Sequence, residues 1–233
     1  MPHSLPVVLV PGLGCSPRIY DPQLPALWRQ GPVFLANHAR GGEMAAIARR
    51  ILAEAPLRFS LAGHSMGGYI ILEMYRQAPE RIGRLALLNT SARPETPEAS
   101  DRRRGLIAEV KAGGYHKVME GLFGKFVHPS RAYDADLRKI VFDMADDVGP
   151  DAFVWQLEAI MTRADSRPTL AQIKCPTLVL TSDTDNMVPV EASVEMAAAI
   201  PGAKFVKIPD CGHLPQLEKP DAMSEALLDW LEM

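Results

Sequence analysis

The sequence predicts an α/β protein in which a doubly wound, mostly parallel sheet is interrupted by an all-helical insertion. Three observations carry this. Short apolar runs alternate with helical patterns through the first 90 residues. A glycine-rich turn at Gly63-His64-Ser65-Met66-Gly67-Gly68 joins a strand to a helix. From Thr90 to about Arg167 no convincing strand is found, and the strand pattern then resumes.

Pro6 to Val10 reads as a strand buried on both faces, because a continuous β-branched run is what a central parallel strand requires. It ends in Pro11-Gly12-Leu13-Gly14-Cys15-Ser16. A dinucleotide fingerprint fails here, since Pro17 takes the third glycine position and no acidic residue follows the next strand. The loop instead suits a backbone N–H donor to an oxyanion, from Leu13; a plain turn is the alternative. Asp21 to Arg29 reads as a helix, Val33 to Ala36 as a strand, and Glu43 to Ala55 as a helix with Ala46, Ile47, Ile51 and Leu52 on one side. Leu85 to Leu88 is the strand after the glycine turn.

The turn itself has the form of a nucleophile elbow, Gly-x-Ser-x-Gly between strand and helix. Such a turn forces the serine into a strained backbone so that its hydroxyl stands clear. Side chains two residues before and after would collide, and Gly63 and Gly67 have none. The helix that follows aims its free N–H groups at the reacting oxygen.

Helices are expected at Ser100–Ala112, Tyr115–Phe126, Asp134–Asp146 and Pro150–Ala164. Lying after a strand's C-terminal end, they form an expected lid over residues 91–167, with residues 1–90 and 168–233 as the core. Most of their apolar side chains are packing residues, while a few, with Phe123, Met144 and Trp155 as candidates, should line an apolar pocket. His64 and Leu214 are further candidates from the core. The run Arg102-Arg103-Arg104 reads as a solvated helix face, with a site for an acidic carrier as the sharper alternative. The sheet resumes at Pro176–Thr181, followed by a helix at Pro189–Ile200, a last strand at Lys204–Ile208 and an amphipathic helix at Asp221–Leu231.

Ser65, an acid after a late strand, and His213 after the last strand lie past the C-terminal ends of parallel strands and can converge. A serine hydroxyl needs a histidine to take its proton and a carboxylate to fix that histidine's tautomer. Asp183 and Asp185 both occupy the turn after the late strand, and the residues alone do not separate them. Asp210 is too local to His213 to approach its far side. His64 reads as a packing or hydrogen-bonding residue, and His38, His116 and His128 have no partner pattern.

The stretches LVPGLGCS, AGHSMGGYIILEMYRQAPERIGRLALLN, PTLVLTSDTDNMVP and DCGHLPQLEKPDAM resemble the α/β-hydrolase superfamily, most of all its capped carboxylesterase, lactonase and carbon–carbon hydrolase groups. The resemblance covers nearly the whole chain. It implies Asp185 as the acid, at the last position of a Gly-x-x-Asp turn in which Ser182 replaces the glycine. It implies Leu13 and Met66 as the two oxyanion N–H donors. Pro11-Gly12 stands where the family has His-Gly. The chain starts at what would be the family's third strand, so about six strands are expected. The implied activity is hydrolysis of a small carboxylic ester or thioester through an acyl-enzyme, without metal or organic cofactor. Lactone or carbon–carbon hydrolysis on the same triad, perhydrolase side activity and a slow-turnover ligand receptor are the alternatives.

Composition sets further bounds. A length of 233 residues suits one such domain, and 47% hydrophobic residues is ordinary for a globular protein. A net charge of -3 gives no electrostatic case for nucleic acid or an anionic membrane. Cys15, Cys175 and Cys211 are odd in number and lack metal spacing, which points to reduced thiols in a cytoplasm. No secretory signal or membrane span is read. A small-molecule ester is the expected partner, and the chain is expected as a monomer or small homo-oligomer.

Overall fold

The computed structural model describes residues 5–233. The core elements in order are β1 (Val7–Val10), α1 (Leu24–Trp28), β2 (Val33–Leu35), α2 (Met44–Glu54), β3 (Phe59–His64), α3 (Met66–Gln77) and β4 (Ile82–Leu88). Three helices follow: α4 (Pro97–Lys111), α5 (Tyr115–Phe126) and α6 (Ala135–Met161). Then come α7 (Arg167–Leu170), β5 (Thr177–Ser182), α8 (Val190–Ala199), β6 (Lys204–Ile208), α9 (Pro215–Glu218) and α10 (Pro220–Glu232).

All six strands are parallel, in the order β2-β1-β3-β4-β5-β6. The chain runs outward from β1 to β2 and then returns to β3. Right-handed crossovers running in opposite directions put α1 and α2 on opposite faces. Accordingly α1 packs on α10, and α2 on α3. Covered on both faces, β1, β3 and β5 are buried at every position, which is why they read as unbroken apolar runs. The strand ends align across the sheet, Val10 beside Gly63, His64 beside Leu88, Leu88 beside Leu180. The order reverses between β1 and β3, so their C-terminal ends border the crevice where such sheets take ligands.

Two expectations differ in detail. The first helix is shorter than Asp21–Arg29, because Pro25 has no N–H and fits only a first helical turn, so α1 starts at Leu24. The four-residue helices α7 and α9 are too short to leave a periodic signal in the sequence. In the insertion, α6 is interrupted at Gly149 (φ 76°, ψ 164°), next to Pro150, where the sequence divides two helices. Thr96 caps α4 by accepting from the Ala99 N–H at 3.2 Å.

The three inserted helices pack on one another around Met119, Phe123, Met144, Phe153 and Leu157. They are also tied to the core. Arg163, just past α6, donates to the Arg93 and Pro94 carbonyls and pairs with Glu95, pinning the insertion's two ends together. Ser166 N–H donates to Ala92 O at 2.8 Å.

Two close backbone approaches mark the start of α3. A Cβ on Gly67 would sit 2.2 Å from the Val10 carbonyl oxygen, and one on Gly63 would sit 2.4 Å from the Gly67 carbonyl oxygen. Both obstacles are backbone, so neither can yield without moving the end of β1 or the first turn of α3. Gly67→Ala is therefore expected to cost about 1–3 kcal/mol, measured by urea unfolding. A change within the error of the wild-type midpoint would contradict this packing.

Candidate active site

Ser65 sits between β3 and α3 with φ 53° and ψ −115°. This conformation is costly for a residue with a Cβ, and it persists because its surroundings determine it. The Ser65 N–H donates to Leu88 O at 2.9 Å, and its carbonyl accepts from the Thr90 hydroxyl at 2.7 Å and the Gly68 N–H at 2.9 Å. Both backbone ends being fixed, the hydroxyl points out of the turn toward His213.

His213 Nε2 lies 2.8 Å from Ser65 Oγ, and His213 Nδ1 lies 2.7 Å from Asp185 Oδ2. A proton on Nδ1 serves the carboxylate, which leaves the lone pair on Nε2 facing the hydroxyl. Asp185 is fully enclosed, yet its charge is well held. Burial works against the ionised form. The charge and hydrogen bond of His213, the Asn89 amide at 2.9 Å and the Val188 N–H at 3.0 Å outweigh it and keep the carboxyl below its ordinary range. The Met187 N–H adds a further bond at 2.8 Å.

The other aspartate of that turn has a different task. Asp183 accepts from the Asp210 and Cys211 N–H groups at 3.1 and 3.3 Å, and so holds the loop that presents His213. That loop is gripped from two more sides. Glu218 accepts from Gly212 N–H (3.1 Å), Leu214 N–H (3.3 Å) and His128 N–H (2.7 Å). The His213 N–H donates to Phe126 O at 2.7 Å.

The turn after β1 is likewise clamped. His38 Nε2–H donates to Gly12 O at 2.8 Å, and Gly14 N–H donates to Gln156 Oε1 at 2.9 Å. Leu13, between those glycines, lines the cavity at Ser65. Met66 N–H belongs to the first turn of α3, where no intrahelical acceptor exists. His64 Nε2–H donates to His213 O at 2.8 Å, and its ring lies 4.9 Å from the His213 ring. It supports the histidine loop through that bond, and burial and the neighbouring His213 push its pKa down to about 3.

The cavity beside Ser65 has a volume of about 40 Å³. His64 and Leu214 line it, as the sequence reading expects, together with Leu13, His213, Tyr69, Arg103, Phe126, Ile160, Met187 and Val188. Three expected pocket residues are elsewhere. Phe123 and Met144 are buried but do not line this cavity. Trp155 is 41% exposed on the outer side of α6. Sequence reasoning missed Asn89, Gln156 and His38, whose partners lie up to 142 residues away. Among the described residues no three His, Cys, Asp or Glu side chains are grouped to hold a metal ion, and no helix is long and apolar enough to cross a membrane. The three cysteines are free.

Two buried histidines give this site an acid limit. Burial pushes His38 down to about 4 and His64 to about 3, against an ordinary 6.5. Between pH 6.5 and about 4 the unfolded chain therefore binds protons that the folded chain refuses, and stability falls as pH falls. Each histidine contributes on the order of 1 kcal/mol per pH unit in that window. Urea unfolding from pH 7 to 4.5 is expected to show this slope, and His38→Gln to reduce it. An unchanged slope in the variant would contradict the assignment.

The chain is 30% identical to a Klebsiella pneumoniae (strain 342) protein named "Putative carbamate hydrolase RutD", over 99% of this chain and 92% of that one. It is 28% identical to a pimeloyl-[acyl-carrier protein] methyl ester esterase of Aromatoleum aromaticum, over 92% of this chain and 93% of the relative. The structure of a thermophilic esterase from Thermogutta terrifontis superposes with a TM-score of 0.89 at 28% identity, covering 98% of this chain and 89% of that one. The sequence pattern of the Alpha/beta hydrolase family matches residues 7–226, and the chain belongs to that family.

Proposed function

We propose that this chain is a serine hydrolase that cleaves a small carboxylic ester or thioester through an acyl-enzyme. The observation that carries the reading is the unbroken chain Ser65 Oγ–His213–Asp185, with links of 2.8 and 2.7 Å. Ser65 Oγ attacks the carbonyl carbon while His213 Nε2 takes its proton. The carbonyl oxygen becomes an oxyanion, held by the N–H groups of Leu13 and Met66. His213 then gives the proton to the leaving alcohol or thiol oxygen or sulfur as the tetrahedral adduct collapses. Water attacks the acyl-enzyme, His213 takes its proton, and the acid leaves as that proton returns to Ser65. Asp185, ionised throughout, stabilises the imidazolium at both stages.

The small cavity favours a short acyl group over a long one. The names of the relatives, a carbamate hydrolase and a carboxylic methyl ester esterase, describe attack on the same kind of carbonyl. The helical segment 91–167 serves as the lid in this reading, since Arg103, Phe126 and Ile160 close the cavity from that side. A reduced compartment suits the free cysteines.

Initial rates on p-nitrophenyl esters from acetate to dodecanoate test the proposal. Turnover is expected to be highest at the short end and to fall to background in Ser65→Ala, with the unfolding midpoint retained. Asp185→Asn is expected to lower kcat by about 10⁴. Near-full activity in a clean Ser65→Ala preparation would refute the mechanism.

A further inference from the structure

Arg103 is the only lining residue of the Ser65 cavity, among the described residues, whose side chain carries a permanent charge. Its neighbours in the triple-arginine run behave differently: Arg102 is exposed, and Arg104 is exposed and pairs with Asp101 on the outer face of α4. Arg103 turns inward, with only 21% of its side chain accessible. Burial strips water from the guanidinium and pulls its pKa below the ordinary arginine value.

Its counter-charge is already shared. Arg103 Nε donates to Glu95 Oε1 at 2.8 Å, while the other oxygen of Glu95 pairs with Arg163. Two cations thus rest on one buried carboxylate, leaving one positive charge in excess at the cavity wall. That bond is made through Nε, and the guanidinium, with its two terminal nitrogens, belongs to a residue that lines the cavity at Ser65. Those nitrogens form the planar fork that matches a carboxylate with two parallel bonds. The remaining walls beyond Ser65 and the histidines are mostly apolar, from Leu13, Phe126, Ile160, Met187, Val188 and Leu214. A partly desolvated cation facing such walls gains much more from an anion than a solvated surface arginine would.

We propose that Arg103 is a specificity residue that receives a free carboxylate on the substrate, so that the preferred substrate is a hemiester of a short dicarboxylic acid. The inference rests on the serine-hydrolase reading for its reacting bond, and on Arg103, Glu95 and Arg163 for its anion site. In the bound complex the ester carbonyl meets Ser65, the methylene spacer lies along the apolar wall, and the distal carboxylate bridges the Arg103 fork. Glu95 keeps the guanidinium in position through Nε.

The test compares monomethyl esters of four- to eight-carbon dicarboxylic acids with methyl esters of monocarboxylic acids of the same chain length. Wild-type protein is expected to show a kcat/KM at least about tenfold higher for the best hemiester, the range of one charge-assisted hydrogen bond. Arg103→Gln should lower that value by about 10- to 100-fold, mostly through KM, and change the neutral esters less than about threefold. Arg102→Gln should match wild type. Equal wild-type rates on both series would overturn the proposal, and so would an equal loss on both in Arg103→Gln, which would make the residue a support of the fold. Should Arg103→Gln fail to fold, the wild-type ratio decides. A second measurement is independent of turnover: the free dicarboxylates should raise the Tm of Ser65→Ala but not of Ser65→Ala combined with Arg103→Gln. Dicarboxylate binding that needs Arg103, without any Ser65-dependent hydrolysis, would uphold the anion site and refute the esterase reading; no binding would overturn the anion site whatever the esterase result.

Discussion

The start of α3 passes so close to the ends of β1 and β3 that only glycines fit at Gly63 and Gly67. This steric constraint fixes the Ser65 backbone at positive φ, and the bond to Leu88 O ties the same residue to β4. The Ser65 hydroxyl is thereby positioned by three strands, although it belongs to a turn. The first-turn N–H of Met66 follows from the same crossing, because a helix that begins immediately after the serine has no earlier carbonyl to bond. The proposed nucleophile and the proposed oxyanion donor are thus two consequences of one backbone event.

The remaining groups must be held as firmly, and loops are usually the mobile parts of a fold. Here each loop is fixed by polar groups taken from elsewhere in the chain. The turn carrying Leu13 is held at Gly12 by His38 and at Gly14 by Gln156 of α6. The loop carrying His213 is held by Asp183, by Glu218 and by the Phe126 carbonyl at the end of α5. The inserted helices supply acceptors to both loops, Gln156 Oε1 to one and the Phe126 carbonyl to the other. The electrostatics are consistent with this arrangement. Asp185 is buried but over-compensated by donors, whereas burial dominates at Glu218 and raises its carboxyl despite three backbone bonds.

Much of this was legible in the sequence because it follows from local rules. The elbow is written in glycine positions that sterics demand, and the central strands in unbroken apolar runs that burial on both faces demands. The order of Ser65, the acidic turn and His213 follows from parallel strands that all end at one edge. The choice between Asp183 and Asp185 was not legible from the residues alone. It depends on which of them meets the Asp210 and Cys211 N–H groups, a contact made across the β5 and β6 loops. Side-chain direction on the inserted helices was equally hidden. Phe123 and Phe126 lie on the same helix and both are buried, yet only Phe126 lines the cavity, meeting His213 at 6.1 Å between ring centres. In the run of three arginines, the register of α4 turns Arg103 inward and leaves its neighbours in solvent. Gln156 carried no signal, because a buried amide is informative only once its partner is known.

The most direct measurement is a crystal structure of the protein inactivated by a small alkyl fluorophosphonate. The proposed mechanism predicts a phosphorus–oxygen bond to Ser65, with the phosphoryl oxygen within hydrogen-bonding distance of both the Leu13 and Met66 N–H groups and His213 still on Asp185. An adduct on another residue, or a phosphoryl oxygen directed away from those two N–H groups, would contradict it.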